Sequence, residues 1–214
     1  MKRPFVLFLL LNFVFAAAVG ARSAEFLKIL DTTRQPELWD ADSHVWKPLP
    51  TPYELPQGSK IRTRAGSSVE IAFDAKLENM AEVRENSMIK VIQKNPARIF
   101  LESGSFFILR EENEKDGVVL KTRHAEIRMR LGGCAVSESR KGTLVRVFSE
   151  EADVSNLTVK EGFWVLVKPG GRITKPRRMQ YEDYRDWQVW IHKFYERKDK
   201  LAWNSIEKII ERHS

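Results

Sequence analysis

A period of two dominates the chain from Phe26 to Thr174. Val69, Ile71 and Phe73 alternate with Glu70 and Ala72, and Ile127, Met129 and Leu131 with Arg128 and Arg130. Val145 and Val147 flank Arg146, and Leu157 and Val159 flank Thr158. Successive side chains of a strand point to opposite faces, so each segment reads as a strand with one buried and one wet face. Turn chemistry separates the runs: Pro56-Gln57-Gly58, Ala65-Gly66-Ser67, Glu102-Ser103-Gly104, Lys115-Asp116-Gly117, Leu131-Gly132-Gly133, Arg140-Lys141-Gly142 and Pro169-Gly170-Gly171. No long amphipathic helix intervenes. The prediction is a mainly β domain, antiparallel or solenoid-like, of many short strands rather than βαβ units. Pro36, Pro48, Pro50, Pro52 and Pro56 predict an extended, irregular first stretch. Gly58, Gly104 and Gly162 each open an apolar run, but at unequal intervals, which excludes a regular repeat array.

Both ends differ from this body. Lys2 and Arg3 precede an apolar run from Pro4 to Val19, broken only by Asn12, and small residues lead to Ala21. Residues 1–21 are expected to be a signal peptide cleaved after Ala21, which exports the chain, to the periplasm in a bacterium. The other reading is an uncleaved inner-membrane anchor. No cysteine follows the run, which excludes a lipoprotein anchor; the one cysteine, Cys134, reads as buried and inert rather than as a reactive thiol.

The formal charge is +7. Residues 22–167 hold 22 basic and 22 acidic side chains, whereas residues 168–214 hold 12 and 7. In that last part the period changes: Tyr184, Trp187, Ile191 and Phe194 recur every three or four residues, joined by Trp190, Tyr195, Leu201, Ile206, Ile209 and Ile210. This predicts an amphipathic helix, bent or broken around Lys198-Asp199-Lys200, after the basic run Lys168, Arg172, Lys175, Arg177 and Arg178. Residues 22–175 are expected to be the β-domain and residues 176–214 a helical extension. The helix either docks on a sheet face or edge, or presents its aromatic and basic groups to a membrane surface or partner. The charge asymmetry points to an anionic partner. Outside the cytoplasm that is an envelope protein or an anionic envelope component, not nucleic acid.

No catalytic, cofactor-binding or metal-ligating residue is predicted. His44, His124, His192 and His213 form no HExxH and pair with no cysteine at zinc spacing. His192 and Glu196 stand one helical turn apart and read as a surface pair. Gly104-Ser105 lacks nucleophile-elbow spacing. Glu111, Glu112, Glu114 and Asp116 lack the alternation of a calcium loop.

The run Leu55-Pro56-Gln57-Gly58-Ser59-Lys60-Ile61-Arg62-Thr63-Arg64-Ala65-Gly66-Ser67-Ser68-Val69-Glu70-Ile71-Ala72-Phe73 resembles the opening motif of the FecR domain. Val83 to Val91, with Glu85-Asn86-Ser87, is similar to its next strand, and Leu101-Glu102-Ser103-Gly104 to the following one. Thr122-Arg123-His124-Ala125 is similar to the family's Thr-x-x-Ala step and Val159-Lys160-Glu161-Gly162 to its Val-x-Glu-Gly strand. The likeness covers about residues 50–175. It departs at Gly133-Cys134, where the family carries Gly-Thr, and in the three residues before the apolar run, which leave no room for a cytoplasmic arm that contacts a sigma factor. These motifs specify turns and core faces, so they imply a fold before an activity. The resemblance implies an exported, non-enzymatic β-domain that binds a protein or a cell-envelope component, in envelope signalling or assembly. The alternatives are an exported hydrolase acting on envelope glycans and a peripheral membrane binder using the basic, aromatic C-terminal helix.

Overall fold

The computed structural model describes residues 27–111 and 117–211, with side chains up to residue 199. The expected signal peptide, Glu112 to Asp116, His213 and the side chains of Leu201, Ile206, Ile209 and Ile210 lie outside these residues.

Strands β1 (Lys28–Thr33), β2 (Glu37–Asp40), β3 (Val45–Pro48) and β4 (Tyr53–Glu54) occupy the proline-rich stretch. It is therefore not irregular as expected. Pro48 sits on an edge strand, and Pro36, Pro50 and Pro52 fall between strands, where no ladder N–H is needed. Then come β5 (Lys60–Arg62), β6 (Ser68–Ala72), β7 (Asn79–Val83), β8 (Met88–Gln93), β9 (Arg98–Arg110), β10 (Val118–Lys121), β11 (Glu126–Met129) and β12 (Gly132–Ser139). β13 (Gly142–Val154), β14 (Leu157–Lys160), β15 (Phe163–Val167), β16 (Arg177–Arg178) and α1 (Tyr181–Glu211) complete the chain's described elements.

The strands form two layers. One runs β4-β1-β6-β7-β9-β12-β13-β15-β16 and is the helix-side sheet. The other runs β3-β2-β5-β8-β9-β10-β11-β13-β14 and is the open sheet. All pairs are antiparallel except β9 with β10. The two 13-residue strands, β9 and β13, belong to both layers and make the corners between them. β9 pairs in the open sheet up to Ser103 and in the helix-side sheet from Gly104.

That corner corrects the expected turn at Glu102-Ser103-Gly104. The chain does not reverse there. Gly104 takes φ +89°, and a Cβ on it would lie 2.5 Å from Ser87 Cα, so only glycine allows the bend against this neighbour. Gly132 and Gly133 likewise open β12, and the turn lies one step earlier, at Arg130-Leu131. Glu85-Asn86-Ser87 is a turn between β7 and β8 rather than part of one strand, with Asn86 at φ 53°.

Burial explains the two strand patterns. Ile61, Ile89, Ile99, Ile127, Val145, Val159 and Val165 fill the core between the layers. The open sheet keeps a wet outer face, so β8, β11 and β14 alternate. The helix-side sheet is covered on both faces, so Phe106-Phe107-Ile108-Leu109 and Cys134-Ala135-Val136 are continuously apolar.

The outer cover is α1. Trp187, Trp190 and Phe194 are 8, 3 and 4 % exposed against Met80, Phe107, Leu109, Ala135 and Phe148. Trp187 stacks on Phe148 with centroids 4.5 Å apart and meets Phe107 edge-on at 5.8 Å. Asp183 accepts the Gln180 backbone N–H at 2.9 Å, half of a capping box at the helix start. The helix runs on past Lys198-Asp199-Lys200, so the expected break is absent. Arg197 pairs with Asp31 and Glu70, and Lys198 with Glu111, which ties that segment to the sheet. These aromatic groups are thus spent on the fold.

Candidate functional site

A buried carboxylate lies at one end of the core. Glu138 on β12 shares the inward face of Cys134 and Val136, and its side chain is shut off from solvent. Thr143 on β13, fully buried, donates its hydroxyl to Glu138 Oε2 at 2.5 Å. The loop between β10 and β11 closes over the pair. Thr122 Oγ1 lies 2.7 Å from Thr143 Oγ1 and accepts the backbone N–H groups of His124 and Ala125 at 3.1 and 2.9 Å. Arg123 Nε and His124 Nε2 stand 3.4 and 3.5 Å from Glu138 Oε1, which has no hydrogen-bond partner among the described residues. A buried carboxylate is tolerable only with such charges and donors around it.

Histidine, threonine hydroxyl and carboxylate are thus together, but in an order that serves no nucleophile. The carboxylate stands between the imidazole and the hydroxyl, so no base contacts the oxygen it would activate except Glu138 itself. Thr143 is also sealed from any substrate atom. The constellation closes the end of the core.

His44 and His192 are apart from it. His44 lies beside Trp39, with ring centroids 6.2 Å apart. His192 Nε2 and Glu196 Oε1 are 3.3 Å apart on the exposed face of α1, the expected surface pair. Among the described residues no three His, Cys, Asp or Glu side chains are grouped to hold a metal. Ser105 Oγ pairs with Ser137 Oγ at 2.8 Å and touches no base. Cys134 is fully buried, and burial pushes its thiol up to about 12, which makes it inert. Among the described residues no helix is long and apolar enough to cross a membrane.

The threonines and glycines of the sequence motifs are likewise occupied. Thr63 donates to Arg84 O at 2.5 Å and accepts the Ser87 N–H at 2.9 Å, binding the β5–β6 loop to the β7–β8 turn. Thr122 shapes the Thr-x-x-Ala turn just described. Gly162 donates its N–H to Val147 O at 2.9 Å while turning at φ +79°.

The surface holds what the sequence did not single out. Arg62 lies 4.4 Å over the Trp46 ring, beside the Trp39–Trp46 pair at 5.3 Å. Hydrogen bonds from Arg62 first, then Arg64, hold the Glu37 carboxyl down at about 2. On the same open sheet Lys60 stands opposite Lys90, and Lys90 opposite Phe100. Period two alone places these residues on a wet face; which strand lies beside which is set by long-range pairing.

Residues 59–153 match the family model described as FecR protein. No curated protein matches the chain. Two crystal structures of a proposed anti-sigma factor from Parabacteroides distasonis resemble it, at 13 and 12 % identity and a TM-score of 0.51 each. Each alignment covers 60 % of this chain, which spans 63 and 64 % of the length of those chains, and at that identity the likeness is one of fold. The matched span runs from the residue before β5 to the end of β13, through both corner strands and the Thr122 turn, so this mainly β chain carries a FecR domain.

Proposed function

We propose that the chain is an exported, non-enzymatic β-domain protein that binds a protein or a cell-envelope component in envelope signalling or assembly. One observation carries the reading: the residues that bear the FecR resemblance, Thr63, Gly104, Thr122 and Gly162 among them, are occupied in turns, corners and core closure. The shared part of the domain is scaffold, and function resides on its surfaces. The fold shared with a proposed anti-sigma factor supports a role in signalling. In this reading residues 1–21 export the chain to the periplasm, residues 22–175 form the binding domain, and residues 176–214 brace the helix-side sheet.

The test is affinity capture with the purified protein from solubilised cell envelope under several growth conditions, with release of reducing ends from isolated envelope glycan followed in parallel. A discrete, saturable protein or envelope component is expected, with no glycan cleavage. Sustained glycan cleavage by the purified wild-type protein would overturn the reading in favour of a hydrolase.

A further inference from the structure

α1 covers the outer face of the helix-side sheet, whereas among the described residues no element covers the outer face of the open sheet. Inward there lie Ile61, Ile89, Ile99 and Leu120, all fully buried. Their neighbours Lys60, Lys90, Phe100 and Lys121 therefore face out, and they form one cross-strand row: Lys60 opposite Lys90, Lys90 opposite Phe100, Phe100 beside Lys121. Arg98 precedes Phe100 by two residues on the same face. Lys121 is neutralised by Glu126 at 3.0 Å. Lys60, Lys90 and Arg98 have no acidic partner among the described residues, and Arg98 Nε is closed off from water without an acceptor.

The charges of Lys60, Lys90 and Arg98 are not balanced by acidic groups among the described residues. Like charges directly opposite one another destabilise a sheet, and a buried N–H without an acceptor costs more. Acidic groups are not scarce, since residues 22–167 carry 22 of each sign. Elsewhere they are used doubly: Glu37 takes Arg62 and Arg64, and Glu126 takes Lys121 and Arg128.

Beside the cations a hollow of ≈ 380 Å³ is bordered by Met88, Phe100, Glu102, Ser103 and Arg123. Arg123 there donates to the Glu102 carbonyl at 3.0 Å. Glu102 follows Phe100 by two residues along β9, in the direction away from Arg98.

We propose that this face is the docking surface for an acidic segment of a partner protein that carries apolar side chains beside its carboxylates. The proposal rests on the reading of the chain as a binding protein and names the chemistry of its partner. Lipid headgroups or a phosphate polymer would satisfy the cations and leave Met88 and Phe100 against polar groups. A peptide supplies both kinds of contact. Its alternate side chains in extended form repeat at about 6.6 Å, the spacing of Arg98 and Phe100 along β9.

The purified protein is titrated into a labelled eight-residue peptide of alternating Glu and Phe, read by fluorescence anisotropy, and into phosphatidylglycerol vesicles. K60E/K90E is expected to weaken peptide binding about tenfold. K90E alone is expected to weaken it while raising Tm by about 1–3 °C, because it replaces an opposed like pair with an opposite one. No peptide binding by the wild type, or binding that K60E/K90E leaves unchanged, overturns the proposal. So does vesicle binding lost on the same reversal without a matching peptide effect. Capture of one envelope protein equally by wild type and K60E/K90E refutes this surface and leaves the binding function standing. Peptide binding that depends on Lys60 and Lys90, with no envelope component captured, supports the surface and counts against the envelope role.

Discussion

Adding one methyl group at Gly133 tests how α1 is held on the sheet. A Cβ there would lie 2.3 Å from Cζ2 and 2.5 Å from Cη2 of Trp187, well inside contact distance. The ring has little room to retreat, with Phe148 stacked at 4.5 Å and Trp190 and Phe107 at 5.0 and 5.8 Å. Gly133→Ala therefore overpacks the seat and should destabilise by about 1–3 kcal/mol. Trp187→Ala empties the same seat and should cost about 3–5 kcal/mol. In the double variant the new methyl enters the vacated space. Its combined cost should fall short of the sum by about 1–3 kcal/mol. Urea unfolding of the four proteins by far-UV circular dichroism measures the cycle. Costs that add within about 0.5 kcal/mol would show that Trp187 does not rest on Gly133, and the docking of α1 would have to be redrawn.

Three further outcomes are expected. Glu37 titrates at about 2 in the folded chain against an ordinary 4.5, so its contribution is complete above about 4.5 and is lost as pH falls toward 2; Glu37→Gln should flatten stability over that window in acid titrations. Thr143→Val removes the hydroxyl that donates to Glu138 Oε2 inside a sealed site and should cost about 1–3 kcal/mol by urea unfolding. The buried Cys134 thiol should ignore a thiol reagent at pH 8 in the native protein and react with one equivalent in urea.

Much of the fold was legible because it is local. Alternation around Ile71, Ile127 and Val159 marks half-buried strands, and the three-to-four spacing of Trp187, Trp190 and Phe194 marks the helix and its buried face. The failures share one cause: the same residue types serve turns and corners. Gly104 reads as a turn but bends a continuous strand against Ser87, a contact set by a partner distant in sequence. The prolines around β1 to β4 read as irregular chain, yet they fall at edges and between strands, where a missing N–H is harmless. Nor did net charge reveal the open sheet. A neutral sum over residues 22–167 conceals Lys60 opposite Lys90, which only the register of β5 with β8 brings together. The Glu138 network was hidden likewise, since its members come from β12, β13 and the loop after β10.

Binding of a partner protein on the open sheet is the proposal on which the rest depends. The most direct test is photo-cross-linking in intact cells from Ser103, which borders the hollow, and from Glu196, which is exposed on α1. One discrete protein adduct from Ser103, absent from Glu196 and lost with K60E/K90E, is the predicted result. No protein adduct from Ser103, or the same adduct from both positions, would contradict it.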